Sequence, residues 1–182
     1  MERLYQQESR QSKIIKQITF KAMRKFIILI ILSLSMASVS AQNVYLEIRS
    51  SAKAIADNQS ANEMVRIINT FKVDALDYLI IKMREQMPDS TTNFLDRQAY
   101  AMNNFINYYV QTIIDSQSLP NAQVSKVISK FMDFSYSNPL FKDDDKEITE
   151  AYLNNDKSII KFSLNTDWRR AGAAAASEIK RD

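Results

Sequence analysis

With no His and no Cys in 182 residues, the side chains left to do chemistry are carboxylates, lysines, tyrosines and hydroxyls. That excludes an imidazole general base, Ser-His-Asp and Cys-His arrangements, a thiolate nucleophile and a His/Cys zinc cage. Gly172 is the only glycine. Phosphate-cradling loops and the GxSxG nucleophile turn need several positions of close backbone approach or positive φ, so they are excluded too. No catalytic, cofactor-binding or metal-ligating residue is assigned, and no cofactor is expected.

Paired carboxylates could still perform acid/base chemistry on a glycosidic bond. Asp96, Asp115 and Asp133 are scattered, however, and no spacing sets two of them across a substrate. The densest acidic cluster is Asp143-Asp144-Asp145-Lys146-Glu147. An EF-hand counted from Asp143 needs Gly and Glu at its sixth and twelfth positions, where this chain has Ile148 and Asn154. The cluster reads instead as a helix start, with Asp144 and Glu147 as a capping box at the positive end of the helix dipole.

Binding surfaces are better represented. Tyr100, Asn103, Asn104, Asn107, Tyr108 and Gln111 fall within one broad sector of a helix, and flat aromatic rings beside amides suit a carbohydrate or a protein partner. The competing reading is a solvated face with hydrogen bonds to neighbouring helices. Trp168, beside Arg169 and Arg170, fits an interface anchor, but it also begins the apolar stripe of the last helix and so fits a core peg. Tyr100, Asn104, Tyr108 and Trp168 are the contact candidates. The alternation Ile160-Lys161-Phe162-Ser163-Leu164 reads as extended, either an edge for a partner strand or an arm over the core.

The elements that must position these residues are helical. One glycine and three prolines cannot furnish the tight turns of a β-rich fold. Val44, Ile48, Ala52 and Ile55 predict a first helix over about 43–57. Ser60 to Glu63 matches a capping box ahead of the stripe Met64, Ile67, Ile68, Phe71, Ala75, Leu79, Met83 and Met87, with a bend expected near Lys72 to Asp74. Phe94, Leu95, Ala99, Met102, Phe105, Ile106, Tyr109 and Ile113 predict a third helix ending before Pro120. Val124, Val127, Ile128, Phe131 and Phe134 predict a fourth, stopped by Ser137-Asn138-Pro139. A short helix is expected over about 145–153 with Tyr152 inward. The last, capped by Thr166 or Asp167, carries Trp168, Ala171, Ala175 and Ile179; its alanines have little surface to bury, so it is expected to be the least firmly packed. The expectation is an all-α antiparallel bundle of about four longer helices plus one short and one C-terminal helix.

Ahead of it, Met23-Arg24-Lys25, the apolar run Phe26 to Leu32 and a Ser/Ala stretch ending Val39-Ser40-Ala41 have the order of a secretory signal peptide cut after Ala41. The apolar run is too short for a membrane anchor of roughly 20 residues. Residues 1–22 are a charged, Gln-rich preface, so either Met23 is the start or the leader is long. Residues 1–41 hold seven of the 24 basic and two of the 21 acidic side chains. The whole-chain charge of +3 therefore becomes −2, 17 basic against 19 acidic, over 42–182. The positive charge that would attract nucleic acid or anionic lipid belongs to the leader. Without Cys there is no lipid attachment and no disulfide staple.

The Ala41-Gln42 junction, Phe71-Lys72-Val73-Asp74-Ala75-Leu76, Phe94 to Tyr100, Ser137-Asn138-Pro139-Leu140-Phe141, and Phe162-Ser163-Leu164 with Asp167-Trp168 resemble small exported helical proteins of unknown function in Bacteroidota. The resemblance implies an address and brings no catalytic residues. Asp89-Ser90-Thr91 likewise resembles the short O-glycosylation site of exported Bacteroidota proteins.

These readings point to an exported binding or interaction module of the periplasm or cell envelope, periplasmic or extracellular and not lipid-anchored. Its partner would be an unknown protein or glycan of the envelope, with no nucleic acid and no stable membrane insertion. The alternative is a carboxylate-dependent hydrolase or lyase acting on envelope polysaccharide.

Overall fold

The computed structural model describes residues 43–116, 120–142, 152 and 159–179. The leader, the acidic run 143–147 and most of the short helix expected over 145–153 lie outside the described residues.

Five α-helices and no strand occur among the described residues: α1 Val44–Asp57, α2 Glu63–Gln86, α3 Thr92–Asp115, α4 Asn121–Tyr136 and α5 Trp168–Ile179. None is long and apolar enough to cross a membrane. Asn43, ahead of α1, takes a left-handed φ of 81°, which Asn tolerates because its short side chain bonds locally.

Two details of α2 differ from expectation. Its N-cap is Asn62, whose side-chain oxygen accepts from the Met64 amide at 2.9 Å, and not Ser60. Ser60 instead sits in an Asx turn, its amide donating to Asn58 Oδ1 at 3.0 Å. The helix also runs unbroken through Lys72 to Asp74. Both side chains have long-range partners, so neither competes for the local backbone. At 24 residues, α2 is about 36 Å long.

α1 packs on α2 and α3, and the Arg49 guanidinium spans to Asp77 with contacts of 2.5 and 2.8 Å. α4 ends at Tyr136, where the Asn138 side chain donates to the Phe134 carbonyl at 2.8 Å, before Pro139.

The segment leading into α5 forms no strand and packs into the core, in line with the reading of an arm over the core. Ile160, Phe162, Ser163 and Leu164 are all buried, and the Ser163 amide donates to Ser135 Oγ at 2.9 Å. It therefore offers no free edge to a partner strand. Phe162 lies inside an aromatic cluster with Phe71, Phe105, Tyr109 and Trp168, at centroid separations of 5.8, 5.3, 5.0 and 6.5 Å; Phe131 joins through Phe105 and Tyr109. Most of these rings meet edge to face, as their quadrupoles prefer.

Asp167 caps α5, its Oδ1 accepting from the Arg169 and Arg170 amides at 3.2 Å each. The expectation of weak packing for this helix is corrected. Ala171 and Ala175 are fully buried and α5 packs on both α3 and α4, because small side chains let the backbone approach closely. Only Gly172 interrupts its helix formers. A Cβ there would meet nothing within 4 Å, so Gly172→Ala should raise stability by about 0.5–1 kcal/mol through reduced unfolded-state entropy. A thermal melt checks this; a lowered Tm would contradict it.

Candidate functional site

α3 carries the contact candidates because its inward stripe, including Ala99, Met102, Phe105, Ile106 and Tyr109, is buried and fixes the rotation of the helix. The opposite side is therefore set rather than free to roll. Tyr100 is 60% exposed, Asn104 is exposed and Tyr108 is 37% exposed. Spaced four residues apart, they form a ridge about 12 Å long. The Tyr108 ring is braced edge to face on Phe131 at 5.6 Å, and partial burial pushes its hydroxyl pKa up. Among the described residues the other exposed large apolar side chains are Leu46 on α1 and Ile81 on α2. Only Tyr100 and Tyr108 share a helix.

The rest of the polar sector does other work. Gln111 donates to Asp115 at 2.8 Å along the same helix. Asn103 is buried and Asn107 half-buried, at the edge of the sector that faces α2. Their side-chain oxygens accept from Lys72 Nζ at 2.7 and 3.3 Å. Lys72 is 3% exposed, and burial pushes its pKa down from 10.5 to about 8. Sequence reasoning missed this lysine, though a signal existed. Ile68, Lys72, Ala75 and Leu79 keep the 4-3-4 spacing of a buried stripe, with Lys72 filling one apolar position.

Trp168 is not a contact residue. It is 1% exposed, lies 5.6 Å from Phe105 and 6.0 Å from Phe71, and its amide donates to Gln98 Oε1 at 2.9 Å. A side chain enclosed by rings from α2 and α3 has no face left for a partner. The flanking Arg169 and Arg170 are exposed.

Asp77 holds Arg49, Asp96 accepts the Tyr45 amide, Asp74 accepts the Tyr152 hydroxyl, and Asp167 caps α5 while accepting from Gln98. Tyr152 points inward as expected, its ring 4.9 Å from Phe71, and burial plus the bond to Asp74 push its pKa well up. Among the described residues no group of three or more His, Cys, Asp or Glu could hold a metal ion. In the 87–91 turn, Asp89 and Thr91 are exposed and Ser90 is half-buried, its amide bonded to the Met87 carbonyl at 2.9 Å.

Comparison with family models, curated proteins and solved structures finds no match to this chain.

Proposed function

We propose that this chain is an exported helical bundle that serves as a binding module of the periplasm or cell envelope, engaging a protein or glycan through Tyr100, Asn104 and Tyr108. The signal-like order of Met23 to Ala41 and the resemblance to exported Bacteroidota proteins supply the address. One observation carries the rest: two tyrosines exposed on one ridge of a helix whose other side is fixed in the core. Tyr offers large contact area with few rotatable bonds, and the Phe131 contact has already removed part of the freedom of Tyr108, so less entropy is lost on binding. The uncharged amide of Asn104 between the rings can donate to and accept from hydroxyls or peptide groups.

A polysaccharide hydrolase or lyase would need two carboxyls facing across a substrate, roughly 5–10 Å apart. Asp74, Asp77, Asp96 and Asp167 are each engaged on a different structural contact, which lends that reading no support at these four positions.

In-cell crosslinking followed by mass spectrometry tests the proposal. A repeatable partner should be captured by the wild-type chain and reduced at least about tenfold by Tyr108→Ala with Asn104→Ala, consistent with loss of roughly 1.4 kcal/mol or more at an aromatic contact. Undiminished capture by the double variant would remove the ridge from the proposal.

A further inference from the structure

The buried amine of Lys72 takes no part in the ridge, yet its surroundings specify its protonation state. Nζ has two acceptors, Asn103 Oδ1 at 2.7 Å and Asn107 Oδ1 at 3.3 Å, both from α3. A neutral amine has two N–H bonds, which these oxygens satisfy; an ammonium has three and would leave one unpaired in a site cut off from water.

Among the described residues the charged groups around it are engaged with other partners. On α2 itself Asp74 is taken by Tyr152 and Asp77 by Arg49. On α1, which packs on α2, Arg49 serves Asp77 and Lys53 serves Asp57, while Glu47 is exposed. On α3, Asp96 accepts the Tyr45 amide, Arg97 donates to Asn93, Asp115 accepts from Gln111, Tyr109 donates to the Ile159 carbonyl, and Tyr100 and Tyr108 face outward. Among the described residues no ion pair reaches Lys72.

We propose that Lys72 is a proton-sensitive joint between α2 and α3: its amine is neutral when the two helices are fully docked, and protonation weakens the docking. The lowered pKa of Lys72, caused by burial, agrees with the hydrogen-bond count. The direction follows from linkage. Between about pH 8 and 10.5 the unfolded chain binds this proton and the folded chain does not, so stability rises with pH across that window and is lost as pH falls through it. Tyr108, Tyr109 and Tyr152, whose pKa values burial raises, act oppositely, but only once the pH nears the ordinary tyrosine value of about 10.

Urea unfolding of the full-length chain at pH 7.5 and 9.5 tests this. The wild-type folding equilibrium constant should rise roughly twentyfold between the two, the change expected for a lysine moved from about 10.5 to about 8. Lys72→Met should lose most of that rise. The comparison uses the pH difference and not absolute stability, because the substitution also leaves the Asn103 and Asn107 oxygens without their donor. An equal rise in both proteins would overturn the proposal. Should Lys72→Met fail to fold, the NMR titration of the Lys72 ε-methylene in the wild-type chain decides: an inflection near pH 8 supports the joint, and one near 10.5 refutes it.

Discussion

Replacing Trp168 with Ala should destabilise the protein by about 4 kcal/mol, within the range for removing a large aromatic side chain from a packed core. The indole is the largest fully buried side chain and touches rings from α2, α3 and the 159–167 segment: Phe71, Phe105 and Phe162. Removing it opens a cavity that the neighbouring rings cannot close without abandoning their edge-to-face contacts. It also releases the point where α5 joins the core, because the Trp168 amide and the Asp167 cap are both held by Gln98 of α3. At roughly 3 °C per kcal/mol for a chain of this size, Tm should fall by about 10 °C or more. Native tryptophan emission should be blue-shifted and poorly quenched by acrylamide, since Trp168 is the only indole. A readily quenched, red-shifted native emission, or a Trp168→Ala variant of unchanged Tm, would show that this packing is wrong.

A second large effect is expected at a smaller side chain. Asn165 Oδ1 accepts from the amides of Leu140 at 3.2 Å and Phe141 at 2.8 Å, and its Nδ2 donates to the Phe141 carbonyl at 2.9 Å. One amide thus satisfies three backbone groups of the segment that follows α4. That segment in turn touches α2, through Phe141 on Tyr78 at 6.1 Å and through reciprocal bonds of 3.2 Å between Gln86 and the Lys142 backbone. Asn165→Ala removes all three bonds and supplies no replacement. With about 1–3 kcal/mol for each buried group left unpaired, offset where water enters, a loss of about 3 kcal/mol is expected. Urea unfolding should show a lower midpoint at nearly unchanged m-value. Hydrogen exchange should show the Leu140 and Phe141 amides losing protection before those of α3. If these two amides stay protected in Asn165→Ala, the segment is held by something other than Asn165.

Stability and the candidate site are joined in one helix. α3 contributes Phe105 and Tyr109 to the aromatic cluster, Gln98 to the α5 start, Asn103 and Asn107 to Lys72, and Tyr100, Asn104 and Tyr108 to the surface. Core packing on one side thereby holds the ridge on the other at a fixed angle. This gives the ridge the rigidity that a binding surface on a loop would lack.

Much of the helix layout was legible from the chain alone. The apolar residues Ile48 and Ala52, Phe71 and Leu79, and Met102 to Tyr109 repeat at three and four and are buried where the repeat places them. Pro88, Pro120 and Pro139 each lie just outside a helix, because proline lacks the amide that a helix interior must donate. The capping residue of α2 was misplaced by two positions, since Ser60 and Asn62 are both competent caps and the choice depends on the preceding turn.

Periodicity assigns a residue to a face but not to a partner, and here its limits show most clearly. Nothing in their residue types marks Lys72, Asn103, Gln98 and Asn165 as interior residues, yet all four are buried. Their burial is tolerable only because residues 24 to 70 positions away in sequence complete their hydrogen bonds. Trp168 was open to two readings for the same reason, since a large ring beside two arginines serves equally as an interface anchor or a core peg until its neighbours are known.

The sequence by itself determined the helical class of the described residues, the approximate course of their five helices, and the exclusion of histidine, cysteine and glycine-loop chemistry, because these follow from local propensity and from residue types that are absent. The tertiary structure alone decided which polar side chains of α3 face the solvent and which face a buried lysine. It also decided that the alanine-rich last helix is firmly docked and that Trp168 belongs to the core. Those outcomes depend on contacts between segments far apart in the chain, whose energies no local pattern contains.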